Sequence, residues 1–298
     1  MKKKGLKYVI SALVVTMMAG AFVGCSSEKQ GSNTTPDTKK QSVSGSITIS
    51  GSTAMQEFIE KSAKKFQEKN SDATINVQGG GSGQGLTQVS QGNVDIGNSD
   101  IYANEKFKNG EDKDLVDHKV LGEGFAVVTS KDVTLTNLTK EQIQNVFSGK
   151  VKNWKEIGGP DVKITVIHRP ASSGTRATFV KVLLDGNKAL EDDKIGIVQD
   201  STGSVMTSIQ STPGSVSYVA LANANESKDK VNKVTIDGVE ASVDNIIGGK
   251  YKFWSWGHMY TKGEAKDLSK AFIEFVSSED NKDLFDKLGF VQGSKIKE

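Results

Sequence analysis

The chain is 298 residues long, with 36% apolar residues and a single cysteine. That length suits two domains or one large one and supplies a sizeable core, while one cysteine excludes both an internal disulfide and a thiolate metal cluster. The formal charge of +2 comes largely from Lys2, Lys3, Lys4 and Lys7; a chain cut after residue 24 loses those four cations and no acid, and carries −2. A weakly acidic body excludes a nucleic-acid partner, whose phosphates need a basic face.

Met1–Lys7 is cationic, Tyr8–Val23 is apolar or small, and Ala19, Gly20 and Ala21 lead to Gly24 and Cys25. Basic, apolar and small-residue segments in that order make a secretory signal. The apolar run falls short of the ~20 residues of a comfortable membrane span. Phe22-Val23-Gly24-Cys25 resembles a bacterial lipobox, with Phe22 where Leu is usual. Residues 1–24 are therefore read as a signal peptide, and Cys25 as the acylated first residue of the mature chain. Residues 25–44 read as a lipidated tether. Within it, Ser26–Ser44 has Val43 as its only large apolar side chain, cannot bury surface, and reaches roughly 25 Å as a flexible coil.

Ser46–Ser50 alternates around Ile47 and Ile49 and reads as a strand. After Gly51-Ser52-Thr53 a helix is predicted from Ala54 to Lys69, its apolar face being Met55, Phe58, Ile59, Ala63 and Phe66. Ala73–Val77 is a second strand, Gly79–Gly85 a glycine loop, and Leu86 with Val89 opens another short helix. Val94–Gly97 is a buried strand ending in Asn98-Ser99-Asp100, and Gly124–Thr129 is another. Thr139 and Gln142 have capping-box spacing ahead of Ile143, Val146 and Phe147, and Gly149 closes that helix. Lys163–His168 is a strand; beyond Arg169–Gly174 a helix carries Phe179, Val180, Leu183 and Leu184. Ser215–Leu221 is a late strand, and Ala265–Val276 and Asp280–Leu288 are helical. The alternation predicts an α/β fold with helices on both faces of a sheet.

Three times a strand runs through a Gly/Ser/Thr turn into a helix: Gly51-Ser52-Thr53-Ala54, Gly80-Gly81-Ser82-Gly83 and Ser172-Ser173-Gly174-Thr175. A helix start has unpaired N–H groups and a partial positive charge, glycine lets a ligand approach, and hydroxyls add donors. Each loop alone is ordinary N-capping. Together, with Arg169 four residues ahead of Ser173, they point to one convergent anion pocket.

Sharper motifs fail. Gln84 breaks both the nucleophile elbow and the dinucleotide pattern around Gly80-Gly81-Ser82-Gly83. His118, His168 and His258 are scattered without zinc spacing and read as structural or solvent-facing. Tyr251, Phe253, Trp254 and Trp256 have the composition of a sugar platform, but read as core or hinge.

The run Val146-Phe147-Ser148-Gly149-Lys150-Val151-Lys152-Asn153-Trp154-Lys155-Glu156-Ile157-Gly158-Gly159 leads into Ile167-His168-Arg169 and Ser173-Gly174-Thr175-Arg176. It resembles the signature of PstS-type phosphate-binding proteins, the extracytoplasmic receptors of phosphate ABC importers. Gly51-Ser52-Thr53-Ala54-Met55, Val94-Asp95-Ile96-Gly97-Asn98-Ser99-Asp100 and Pro213-Gly214-Ser215-Val216-Ser217-Tyr218-Val219 resemble further blocks in the family's order. The resemblance runs from about residue 46 to the end. It implies a two-lobed, periplasmic-binding-protein-like (type II) α/β fold with the ligand cleft between lobes. Lobe one would be 45–125 with 256–298, and lobe two 126–255.

The family's binding positions fall on Ser52, Thr53, Ala54, Ser82, Asp100, Arg169, Ser173, Gly174 and Thr175. Ala171 departs from the pattern, since some relatives carry an acid there that pairs with the arginine. The resemblance also implies a monomer that binds inorganic phosphate, engages ABC permease subunits and is lipid-anchored through Cys25 at the extracytoplasmic face of the cell membrane. It implies no cofactor, no metal and no catalysis. Phosphate at neutral pH keeps at least one proton, so a dry cleft needs an acceptor as well as donors; Asp100 is the acceptor in this set. Three other readings stay open at this point. They are a receptor for another tetrahedral oxyanion such as sulfate, molybdate or arsenate; a hydrolase using Ser82 or Ser173; and an adhesin or signalling protein on the same fold.

Overall fold

The computed structural model describes residues 43–296. The signal peptide, Cys25 and almost all of the tether lie outside the described residues.

The fold is mixed α/β. One sheet of ten strands has the main path 73–78, 45–51, 96–99, 254–262, 115–130, 215–220, 165–168, 197–198. The strand Gly45–Gly51 is flanked by parallel partners on both sides, Ala73–Gln78 and Ile96–Ser99. Thr165–His168 runs parallel to Ser215–Ala220. The join between these two parallel groups is antiparallel and is made by two long strands. Leu115–Ser130 pairs with Trp254–Lys262 along residues 115–124, then switches to Ser215–Ala220 from Phe125 onward. The switch falls between Gly124 and Phe125, and Phe125 N–H there donates to Phe253 O at 3.0 Å.

The two larger hydrophobic cores follow this division. The first gathers Ile47, Ile49, Phe58, Phe66, Phe272 and Phe285, with Phe58 and Phe285 rings 4.7 Å apart. The second gathers Phe125, Phe147, Trp154, Phe179, Tyr218 and Phe253, with Phe179 stacked on Tyr218 at 4.1 Å. The long run around Trp154 serves this second core: Trp154 is buried, and its indole N–H donates to Gly214 O at 3.0 Å. Tyr251 and Phe253 are likewise core residues, whereas Trp254 and Trp256 are half-buried at the start of a joining strand.

Several elements differ from expectation. The first helix is Gln56–Lys69, two residues shorter at its start than the pattern suggested. There Ser52 Oγ accepts from the N–H groups of Ala54 and Met55, holding a turn ahead of the helix. The second helix starts at Ser82, four residues before Leu86, so half of the expected glycine loop is helical. Its glycines serve packing: a Cβ on Gly85 would lie 2.6 Å from Ser50 O. The strand through Val94–Gly97 lies at Ile96–Ser99, and the one at Gly124–Thr129 is the end of a strand beginning at Leu115. The capping box at Thr139 forms as expected, with Gln142 N–H donating to Thr139 Oγ1 and Thr139 N–H to Gln142 Oε1.

Candidate functional site

Three strands release their chains into one region. Gly45–Gly51 passes to Ser52, Ile96–Ser99 to Asp100, and Thr165–His168 to Arg169. The carboxyl ends of parallel strands are where open α/β sheets take ligands.

From the first core's side, Ser82 begins its helix and is fully buried, its Oγ accepting from Asp100 N–H at 3.0 Å. From the second core's side, Ser173 caps the helix Gly174–Leu183, its Oγ accepting from Arg176 N–H at 3.2 Å. Neither serine meets a histidine. His168 Nδ1 is paired with Glu191 at 3.1 Å and His258 Nδ1 with Asp117 at 2.8 Å, so both buried histidines are structural. Among the described residues no cluster of His, Cys, Asp and Glu could hold a metal ion.

The two sides touch directly. Gly83 N–H donates to Ser172 O at 2.9 Å. Thr175 Oγ1 donates to Asp100 Oδ2 at 3.2 Å, and Arg169 Nη2 to Thr53 Oγ1 at 3.1 Å. At Gly174 the approach is closest: a Cβ there would lie 2.2 Å from Ser82 Oγ and 2.9 Å from Asp100 Cβ. The two sides are thus in direct contact across the site.

Arg169 is 1% exposed. Its fork donates from Nε to Gln199 O at 3.2 Å, from Nη2 to Asp200 O at 3.1 Å, and from Nη1 to Thr202 Oγ1 at 3.4 Å. With alanine at 171, carbonyl and hydroxyl oxygens rather than a neighbouring acid orient the guanidinium. Burial pushes its pKa down, against the opposing pull of Tyr218, Asp100 and Asp200. Behind it, Arg176 Nη1 donates to Arg169 O at 2.6 Å while its Nε pairs with the buried Glu191 at 3.1 Å, and Tyr218 OH also donates to Glu191. That network fixes the loop carrying the arginine.

Asp100 is 3% exposed. Burial raises its pKa; the Ser52 hydroxyl, the Arg169 charge, the Thr175 hydroxyl and a bond from Glu123 pull the other way. Asp100 is thus a buried acid among a cation, hydroxyls, two helix starts and the carboxyl of Glu123.

The nine positions expected from the sequence thus come together, although they serve differently. Ala54 contributes no side-chain group, and its N–H is taken by Ser52 Oγ at 3.1 Å. Two residues were missed. Thr202, buried at the start of the helix Thr202–Ser211, donates its N–H to Thr53 Oγ1 at 3.2 Å; Ser201-Thr202-Gly203 is a fourth turn of the same composition and was the available signal. Glu123 contacts Asp100 and is buried; its signal was a single acid inside the apolar run 120–128.

A family model described as the PBP superfamily domain matches residues 36–280. The chain is 43% identical over 296 residues to the phosphate-binding protein PstS of Bacillus subtilis (strain 168), covering 99% of this chain and 96% of that one. It is 25% identical over 253 residues to PstS of Borreliella burgdorferi, covering 82% and 89%. Among solved structures, a Clostridium perfringens substrate-binding protein assigned to phosphate ABC transport, with bound phosphate, superposes with a TM-score of 0.75 at 28% identity over 83% of this chain and 99% of that one. An ABC-type phosphate transport receptor from Vibrio cholerae gives 0.65 at 27% over 83% and 100%. With the model match spanning most of the chain and a relative this similar over its full length, the chain belongs to the PBP superfamily and, within it, to the PstS phosphate-binding proteins.

Proposed function

We propose that this protein is a receptor, not an enzyme, that binds inorganic phosphate between its two sides and delivers it to an ABC permease. The observation that carries the reading is Asp100, a buried carboxylate set among donors drawn from both cores. An acid in an anion site is unfavourable unless the ligand brings a proton to it. Phosphate at neutral pH always does, whereas sulfate and molybdate do not. Donors come from Arg169, from the hydroxyls of Ser52, Thr53, Ser82, Ser173 and Thr175, and from backbone N–H groups at Gly174 and Thr175. Arginine suits the role because two N–H groups meet two oxygens. Charge-assisted hydrogen bonds at ~1.5–3 kcal/mol each sum readily to the ~8 kcal/mol of micromolar binding.

Residues 45–125 with 256–298 form one lobe and 126–255 the other, hinged where residues 124–125 and 253–254 cross between the cores. Opening admits the ligand, and closure excludes water and creates the form a permease reads. The receptor acts as a monomer on the extracytoplasmic side, tethered through lipid on Cys25, which lies outside the described residues. The small-residue step before that lone cysteine motivates the anchor. Cells fed labelled palmitate should yield a labelled protein that loses its label in Cys25→Ala; label persisting in the variant would defeat the anchor.

Asp100→Asn tests the function itself. The amide is neutral and offers either C=O or NH₂, so it keeps a contact with phosphate and no longer repels sulfate. A site built to bond a ligand hydroxyl rejects the analogue lacking it by ~10⁴–10⁵, and that ratio should narrow steeply, mostly through gained sulfate affinity. A variant still blind to millimolar sulfate while binding phosphate normally would remove Asp100 as the filter.

A further inference from the structure

Glu123 is 1% exposed and stands opposite Ser255, just before Leu115–Ser130 changes partner after Gly124. Neither of its carboxyl oxygens has a donor facing it, and Asp100 Oδ1 and Ser255 Oγ are also unpartnered. Two ionised carboxylates held together away from water repel strongly, and a shared proton removes that repulsion while giving an orphaned oxygen its donor. The donors around the pair are distributed unequally. Thr175 Oγ1 donates to Asp100 Oδ2 at 3.2 Å, whereas no donor meets either oxygen of Glu123. Burial raises the pKa of both acids, and at Glu123 the Asp100 charge adds to it. The donor geometry therefore puts the negative charge on Asp100 and the proton on Glu123.

We propose that Glu123 is a positioning residue for ligand selection: it donates its O–H to Asp100 and thereby keeps Asp100 ionised and available to the ligand's own proton. The proposal rests on the phosphate reading of the site and deepens it. Were Asp100 itself protonated, it would become a donor and would serve sulfate as well as phosphate. Holding the proton on Glu123 prevents this, and a carboxylate has lone pairs enough to accept from Glu123, Thr175 and the ligand together.

The other charges near the pair are accounted for. Arg169 faces it across the site. Behind Asp100 lies a cavity of about 170 Å³ lined also by Tyr102, Glu105, Lys181, Ser255 and His258. There Glu105 and Lys181 pair at 2.9 Å, and His258 pairs with Asp117 at 2.8 Å. The pair's single negative charge is thus matched to Arg169. At a pH high enough to strip Glu123, the pair carries two charges, and phosphate affinity falls beyond what the ligand's own titration explains.

The test has two arms. In protein labelled with ¹³C at glutamate side chains, the Glu123 carboxyl, assigned through its own backbone, should resonate as a neutral acid at pH 7 without any ligand. An ionised Glu123 at that pH overturns the proposal. In calorimetry, Glu123→Gln replaces one neutral donor by another, so phosphate affinity at pH 7 should stay within about threefold and sulfate should remain excluded. The additional alkaline loss seen in the wild type should vanish. A gain of about tenfold or more for either anion would mean that the substitution removed a charge, and that too overturns it. The first arm uses no phosphate, so it stands even if the wild type proves not to bind phosphate, a result that would sink the functional reading instead.

Discussion

Arg169→Lys is expected to weaken phosphate binding about 100-fold. Lysine keeps the charge and loses the planar fork. It can meet one oxygen where the guanidinium meets two, and it leaves some of the oxygens of Thr53, Gln199, Asp200 and Thr202 without the donors they now have. Losing one or two charge-assisted hydrogen bonds at ~1.5–3 kcal/mol each amounts to roughly 3 kcal/mol, or two decades in affinity. The comparison is with an exposed lysine substituted by glutamine, such as Lys131, which should leave the affinity alone. An unchanged dissociation constant in Arg169→Lys would take the arginine out of the site.

Gly174→Ala should have an effect at least as large, by a different route. The added methyl would lie 2.2 Å from Ser82 Oγ and 2.8 Å from Ser82 Cβ, contacts made across the two sides of the site. Gly174 is the first residue of its helix, so alanine's helix-interior advantage of ~1 kcal/mol is felt only in part there, and the open form should be at least as stable as before. The variant should therefore fold with an unchanged or slightly higher melting temperature. It should fail to close, and should lose the thermal stabilisation that phosphate confers on the wild type by binding the native state. Phosphate stabilising the variant as much as the wild type would show that closure at Gly174 is not needed for binding.

Much of this site was legible because its residues are local. Ser52-Thr53, Gly81-Ser82-Gly83 and Ser173-Gly174-Thr175 sit in short turns whose composition alone suggests helix starts. Arg169 lies four residues from the last of them. What the sequence did not disclose depends on distant pairing. Glu123 reaches Asp100 only through the strand Leu115–Ser130 and its neighbour Trp254–Lys262, whose register runs through a bulge between Gly257 and His258. Thr202 meets Thr53 across the junction of the two cores, 149 positions away in sequence.

The misplaced helix start at Ser82 has a related cause. Gly83 and Gly85 weigh against a helix by propensity, yet the backbone is packed so closely onto Ser50, Gly51 and Asn98 that a side chain at Gly85 would not fit. Tertiary contact there overrides the local signal. The acid missing at 171 raised the question of what orients Arg169; only the structure shows carbonyls of residues 199 and 200 in that role.

The most direct measurement is a calorimetric titration at pH 7 of the purified protein, freed of bound ligand by partial unfolding and dialysis, with phosphate and, separately, with sulfate. The expected result is one phosphate per chain bound at micromolar concentration or tighter, with no detectable heat from millimolar sulfate. Absence of phosphate binding, or sulfate bound as tightly as phosphate, would contradict a proton-reading phosphate receptor built around Asp100 and Arg169.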